Sequence, residues 1–153
     1  CLAPQNAFLN NLGLETLGLR MHRQCDNALE LARFLQGLGG DIEVNYPGLE
    51  KSPYHEIAEK QFRNGYGAIV TVRTGSKEKA FSIINSLKIP LIISNIGDTK
   101  TLVIHPESTI AAHISDEEKL QSGVFEDLIR ISVGIEDVED LKEDFKQAIE
   151  NNR

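Results

Sequence analysis

The segment Leu128-Ile-Arg-Ile-Ser-Val-Gly-Ile-Glu-Asp137 places one cation inside an otherwise apolar strand. Alternation divides the strand into two faces, with Ile129, Ile131 and Val133 on one and Leu128, Arg130 and Ser132 on the other. A guanidinium among apolar side chains is costly unless an anion or hydrogen-bond acceptors meet it. Its planar fork also suits a carboxylate, which it binds in bidentate fashion. The pattern predicts a carboxylate site, an ion pair with an acid of this chain, or an arginine on a solvent-facing strand.

Strands and helices alternate along the rest of the chain, an order that by itself would suggest parallel βαβ units. The predicted strands are residues 42–45, 68–72, 89–93 (broken by Pro90) and 101–104, together with the arginine strand. The predicted helices are residues 6–38 with interruptions at Gly13 and Gly18, a short helix to about 62, one after Gly75-Ser76, one to about 121, and one after Asp137.

Local signals fix where several of these helices begin. Ser52-Pro53 reads as a cap followed by proline in the first turn. Ser115 and Glu118 have the spacing of a capping box, and Asp137 reads as the cap of the last helix. The helix after Ser76 is expected to bury a stripe formed by Ala80, Phe81, Ile84 and Leu87.

Composition excludes several functional classes. The chain has 153 residues, a one-domain length, with 41% hydrophobic and 25% charged residues. A net charge of -7 argues against nucleic acid as a partner, and no apolar run is long enough to span a membrane. Cys1, Cys25 and the four histidines lack metal-ligand spacing. We therefore expect a reduced, cytoplasmic protein without a bound metal.

Several motifs together carry a family resemblance. They are Gly13-Leu-Glu-Thr-Leu17, Asn45-Tyr-Pro-Gly-Leu49, Asn95-Ile-Gly-Asp-Thr-Lys-Thr-Leu-Val-Ile-His-Pro106 and the arginine strand continued to Leu141. Over nearly all 153 residues the chain resembles the carboxy-terminal domain of the pyridoxal-phosphate (PLP) enzymes of cysteine and methionine metabolism. Asn95, Asp98 and Lys100 match most closely the form typical of O-acetylhomoserine sulfhydrylases.

The resemblance implies an α/β fold of the α+β type. We expect a mainly antiparallel sheet of about four strands, with helices packed on one side, as in the small domain of these enzymes. Residues 1–25 would be the remnant of an interdomain helix and residues 26–153 the small domain, with the PLP-binding large domain absent. Four leucines of the first helix should then be left under-packed: Leu9, Leu12, Leu14 and Leu17.

The resemblance also implies site residues. The arginine that matches Arg130 binds the α-carboxylate of the amino-acid substrate, and a serine usually stands where this chain has Asn95. Asn95 is read either as a second carboxylate ligand or as part of a turn that merely links two strands. Thr109 is a possible pocket residue, whereas Ile110 and Ala111 replace the Thr-His pair of most relatives, so His113 is left out. Glu136 and Asp137 are interpreted as helix-start acids.

No catalytic residue is predicted within the chain. The family places its PLP-binding lysine in a Ser-x-Thr-Lys context, which no lysine here has, and Lys100 is read as an ordinary strand-start lysine. The chain alone is therefore expected to be inactive and to bind no PLP. The implied parent is a PLP-dependent transferase, with a small amino acid as substrate and with its own large domain and a homotetramer as partners.

The alternatives fall into two classes. The chain is read as part of an O-acetylhomoserine sulfhydrylase, or of a methionine γ-lyase or a cystathionine γ-synthase or lyase. The second class is a freestanding regulatory domain that binds a small carboxylate through Arg130 and never needed a cofactor.

Overall fold

The computed structural model describes residues 1–152 and shows six helices and five strands in that range. Arg153, the last residue of the predicted small domain, lies outside it. In chain order the elements are α1 Pro4–Glu15, α2 Leu17–Leu38, β1 Glu43–Asn45, α3 His55–Gln61, β2 Ile69–Arg73, α4 Lys77–Ser86, β3 Leu91–Ile92, β4 Leu102–Ile104, α5 Asp116–Gln121, β5 Leu128–Ser132 and α6 Val138–Glu150.

The five strands form one sheet in the order β1-β2-β5-β4-β3. All neighbours are antiparallel except β3 and β4, where Leu91 lies opposite Leu102 and Ile92 opposite Val103 in a parallel pair. The prediction of a mainly antiparallel sheet is confirmed, but the strand number is five and not about four. Pro90 directly precedes β3, which is a two-residue edge strand, as expected where proline removes a ladder donor.

Helices α2, α4 and α6 cover one face of the sheet, which confirms the one-sided layer arrangement. The core joins alternate side chains of the central strands to the apolar stripes of these helices. Its fully buried members include Leu31, Leu35, Val70, Ile131, Leu141 and Phe145. The face of β5 predicted to be apolar from Ile129, Ile131 and Val133 is therefore the one that meets the helices, and Arg130 points to the other side.

Three local predictions need correction. The first helix is interrupted at Thr16, between α1 and α2, while Gly13 and Gly18 lie within helices. Helix α3 begins at His55 because the Ser52 hydroxyl accepts a bond from the Tyr54 amide and completes a turn there. In α4 the buried stripe includes Ile83, whereas the Phe81 side chain remains 37% exposed.

The predicted helix caps are confirmed where a side chain reaches the first turn. Ser76 accepts from the Lys79 amide, and Asp137 accepts from the Glu139 amide. Ser115 and Glu118 form both bonds of the capping box at the start of α5. These bonds are local in sequence, which is why spacing alone predicted them.

Helix α1 packs poorly against the rest of the molecule. None of its residues is buried, and the four leucines expected to be under-packed are exposed by 39% to 60%: Leu9, Leu12, Leu14 and Leu17. Burial in α2 begins at Gln24 and Cys25. Helix α2 continues without a break across the predicted boundary at residue 25. Within residues 1–152 no helix has the length and apolar character needed to cross a membrane.

Candidate carboxylate site

Sheet register places Arg130 in the middle of the central strand. On one side it lies opposite Thr71 of β2, and on the other opposite Ile104 of β4. Its neighbours Ile129 and Ile131 face the helices. Because side chains alternate along a strand, the Arg130 side chain leaves the sheet on the side away from the helices. Strand β5 is paired along both edges, so the base of this side chain is fixed.

The Arg130 guanidinium is half-buried and makes little use of its donors. Its Nη2 donates to the Asn95 backbone oxygen at 3.3 Å, while its Nε is buried and has no hydrogen-bond partner among residues 1–152. Burial lowers the pKa of this guanidinium, which nonetheless stays charged at neutral pH. Within the described range no acid forms an ion pair with it, so the alternative of an internal salt bridge is not observed.

Arg73 offers a direct contrast on the same face of the sheet. Its Nε donates to Asp127 Oδ1 at 3.0 Å, its Nη1 lies 3.6 Å from Glu43 Oε2, and its guanidinium stacks on the Phe125 ring. The Arg73 guanidinium is therefore bound by partners within the chain. The Arg130 fork is left available to a ligand.

Asn95 lies in the loop that faces Arg130, residues 94–100, which we call the Asn95 loop. The Asn95 side-chain oxygen accepts a bond from the Ile96 amide at 2.9 Å. The side chain is exposed, and its NH2 donors form no hydrogen bond among residues 1–152. Gly97 follows with a φ of 77°, a left-handed conformation that favours glycine. The loop therefore meets the Arg130 cation through the Asn95 backbone oxygen and carries an unused side-chain donor on the same residue.

Two buried polar side chains hold this loop, and sequence reasoning assigned a role to neither. Gln24 Nε2 donates to the Asp98 backbone oxygen at 2.6 Å, and Ser132 Oγ accepts from the Gly97 amide at 3.3 Å. Both residues are only 1% exposed. The alternating pattern of β5 placed Ser132 beside Arg130, so that signal was present in the sequence. Gln24 lies 74 positions from its partner, and no local pattern connects them.

Thr109 uses its hydroxyl in a local turn. Its hydroxyl donates to the His105 backbone oxygen at 2.7 Å and closes the turn after β4. Among the described residues it forms no hydrogen bond with Arg130 or Asn95.

Glu136 differs from its predicted role at the start of the last helix. Its carboxylate accepts from the Thr101 amide at 2.6 Å and from the Thr101 hydroxyl at 2.9 Å, whereas Asp137 alone caps α6. The Asn27 side-chain NH2 donates to the backbone oxygens of Gly134 and Glu136. These bonds join α2, the start of β4 and the end of β5 beneath the Asn95 loop.

The lysines of the described range are either paired with acids or exposed. Lys77 and Lys119 both bind the carboxylate of Glu107, at 2.7 and 2.8 Å, and together they lower the pKa of Glu107 to about 2. Lys79 pairs with Asp41, and Lys142 pairs with Glu30 and Glu139. The remaining lysines are exposed: Lys51, Lys60, Lys88, Lys100 and Lys146. In residues 1–152 no cluster of three or more histidine, cysteine or acidic side chains is placed to hold a metal ion.

Comparison with known proteins identifies the family. A family model described as Cys/Met metabolism PLP-dependent enzyme matches residues 1–150. The chain is 43% identical over 148 residues to homocysteine synthase of Schizosaccharomyces pombe, covering 96% of this chain and 34% of that protein. It is 44% identical over 149 residues to O-acetyl-L-homoserine sulfhydrylase 1 of Thermus thermophilus, covering 97% and 35%.

A solved structure shows the same fold. The crystal structure of a putative O-acetylhomoserine (thiol)-lyase from Campylobacter jejuni, which contains N'-pyridoxyl-lysine-5'-monophosphate, superimposes with a TM-score of 0.93 at 40% identity. The match covers 97% of this chain and 36% of that one. The chain thus spans about a third of the length of the relatives that it matches. On this evidence the chain belongs to the Cys/Met metabolism PLP-dependent enzyme family.

Proposed function

We propose that this chain forms the substrate-carboxylate site of a PLP-dependent O-acetylhomoserine sulfhydrylase. The observation that carries the proposal is the Arg130 guanidinium, which has five N–H donors and uses one of them within the described chain. A half-buried cation with unused donors is costly without an anion, and a carboxylate matches its planar fork.

Asn95 supports the same ligand. Its backbone oxygen lies 3.3 Å from Arg130 Nη2, its side-chain oxygen accepts from the Ile96 amide, and its NH2 donors are unused within the described residues. A carboxylate held by the Arg130 fork would therefore meet a second, neutral donor nearby. Thr109 remains a proposed pocket residue, and its hydroxyl donates a hydrogen bond to the His105 backbone oxygen.

The chain's contribution to the reaction would be orientation. Fixing the carboxylate of O-acetylhomoserine fixes the direction of the bonds at its Cα, and positioning of this kind removes part of the entropic barrier. The reaction replaces acetate at Cγ with sulfide or methanethiol, giving homocysteine or methionine. No lysine of the chain has the Ser-x-Thr-Lys context, so we propose that the catalytic lysine and the cofactor belong to a large domain outside these 153 residues.

We also propose that the chain contacts a further domain within a larger enzyme. The chain would be part of a cytoplasmic parent enzyme that assembles as a homotetramer. The exposed apolar face of α1 supports contact with a further domain, because Leu9, Leu12 and Leu14 are each more than half exposed.

Initial rates of the full-length enzyme test the activity. O-acetylhomoserine with sulfide should react faster than methionine eliminates methanethiol, and removal of the carboxylate from the substrate should raise KM. Faster methanethiol release would assign a methionine γ-lyase, and preference for cysteine as the sulfur donor a cystathionine γ-synthase. If the reading frame that contains Cys1 encodes no upstream Ser-x-Thr-Lys segment, the freestanding regulatory domain would replace the enzyme.

A further inference from the structure

Gln24 of α2 is the side chain that links the helical layer to the Asn95 loop. It is 1% exposed, and its Nε2 donates to the Asp98 backbone oxygen at 2.6 Å. The loop is otherwise exposed and short of apolar contacts, with Asn95, Ile96 and Gly97 all at the surface. Gln24 is therefore a buried side-chain donor that restrains this exposed loop, beside the Ser132 hydroxyl, which accepts from the Gly97 amide.

The environment of Gln24 Oε1 indicates that the Nε2 donor is the reason for a glutamine at this position. Gln24 Oε1 is buried and has no hydrogen-bond partner within residues 1–152. A buried acceptor without a partner lowers stability, so an apolar side chain would serve packing alone better. Gln24 thus costs stability at Oε1 while it supplies a bond at Nε2.

The bond acts at the turn that sets the direction of Asn95. Asp98, whose oxygen Gln24 binds, directly follows Gly97, the left-handed residue of the loop. The Gly97 amide is in turn fixed on Ser132 Oγ at 3.3 Å, and Asn95 lies two residues before it. Holding Asp98 therefore helps to hold the Asn95 backbone oxygen against Arg130, and it restrains the loop that carries the Asn95 side chain.

We propose that Gln24 is a positioning residue for the substrate carboxylate, acting through the Asn95 loop on both Asn95 and Arg130. The inference rests on the proposed function, since it assumes that Arg130 and Asn95 bind the carboxylate. Gln24 itself would touch neither the substrate nor the cofactor. Its contribution is to keep the two carboxylate donors at one spacing before the substrate arrives.

The test uses the full-length holoenzyme with three variants. Gln24→Leu removes the donor and the unpartnered acceptor together, so the thermal midpoint should change little. The KM for O-acetylhomoserine should rise by about tenfold, while kcat stays within about twofold. Gln24→His keeps a ring N–H at similar reach and should restore most of the KM. Gln36→Leu, an exposed glutamine of the same helix, is the control and should change neither constant.

Hydrogen exchange gives a readout that does not depend on activity. The peptide that contains residues 94–100 should exchange faster in Gln24→Leu than in the wild type or in Gln36→Leu. An unchanged KM and unchanged exchange in Gln24→Leu would overturn the inference. A fall in kcat and thermal midpoint with no KM change would also overturn it, in favour of a purely structural role.

Arg130→Lys, measured in parallel, separates this inference from the proposed function. If Arg130→Lys raises KM and Gln24→Leu does not, the carboxylate site stands and the role of Gln24 fails. If Arg130→Lys leaves KM unchanged, the carboxylate site itself fails, and the positioning role fails with it.

Discussion

Replacement of Arg130 with lysine tests whether its unused fork binds a ligand. Lysine keeps the positive charge but loses the planar donor pair that matches a carboxylate. The chain itself would lose little, because the one internal bond of the Arg130 guanidinium, to the Asn95 oxygen, is 3.3 Å long. The structure therefore predicts that substrate affinity falls while the fold is retained.

The magnitude follows from the bond that lysine cannot replace. A hydrogen bond between charged groups contributes about 1.5–3 kcal/mol, and lysine would still make one of the two bonds of the fork. Loss of the second corresponds to an increase in KM of about 10- to 150-fold for O-acetylhomoserine. Initial rates of the full-length enzyme at varied substrate concentration measure it, with thermal unfolding followed on the same samples.

Arg73 provides the matched control on the same face of the sheet. Its fork is committed to Asp127 and Glu43, so Arg73→Lys should lower the thermal midpoint and leave KM unchanged. The reasoning about Arg130 would be refuted if Arg130→Lys behaved like Arg73→Lys, with a loss of stability and no change in KM.

Three further results are expected. Since the pKa of Glu107 is lowered to about 2 by Lys119 and Lys77, its contribution to stability is complete above about pH 4.5 and is lost as pH falls towards about 2. Urea unfolding across that range should show the loss, and Glu107→Gln should flatten it. Gly134→Ala should reduce the free energy of unfolding by about 1–3 kcal/mol because of overpacking, since a Cβ would lie 2.5 Å from the Thr99 oxygen; an unchanged urea midpoint would contradict this. The isolated chain, given PLP and O-acetylhomoserine, should show no turnover and no stoichiometric lysine adduct after borohydride reduction; a single modified lysine with turnover would place the catalytic site within these residues.

The sequence predicted best those features that depend on neighbouring residues. Alternation in β5 assigned Ile129 and Ile131 to the core face, and the spacing of Ser115 and Glu118 predicted a capping box; both depend on contacts within a few residues. Local signals failed where a nearby bond competed, as at Ser52, whose hydroxyl completes a turn and delays the start of α3. The antiparallel sheet came from family resemblance, because alternating strands and helices by themselves suggest parallel units.

Local sequence patterns could not predict the long-range hydrogen bonds that hold the candidate site in place. Gln24 meets Asp98 across 74 positions, and Glu136 meets Thr101 across 35. A glutamine in a helix and a glutamate before a helix have ordinary local interpretations, and only the tertiary fold shows which backbone groups they reach. Arg130 was singled out because a cation in an apolar strand is unusual in any fold, and its carboxylate role came from the family resemblance.

A crystal structure of the full-length holoenzyme with a bound amino-acid ligand tests the central claim most directly. The account predicts both carboxylate oxygens within about 2.7–3.0 Å of the Arg130 guanidinium, with the Asn95 side-chain NH2 within hydrogen-bond reach of one of them. A ligand carboxylate bound elsewhere, with the Arg130 guanidinium still contacting only the Asn95 backbone oxygen, would contradict it.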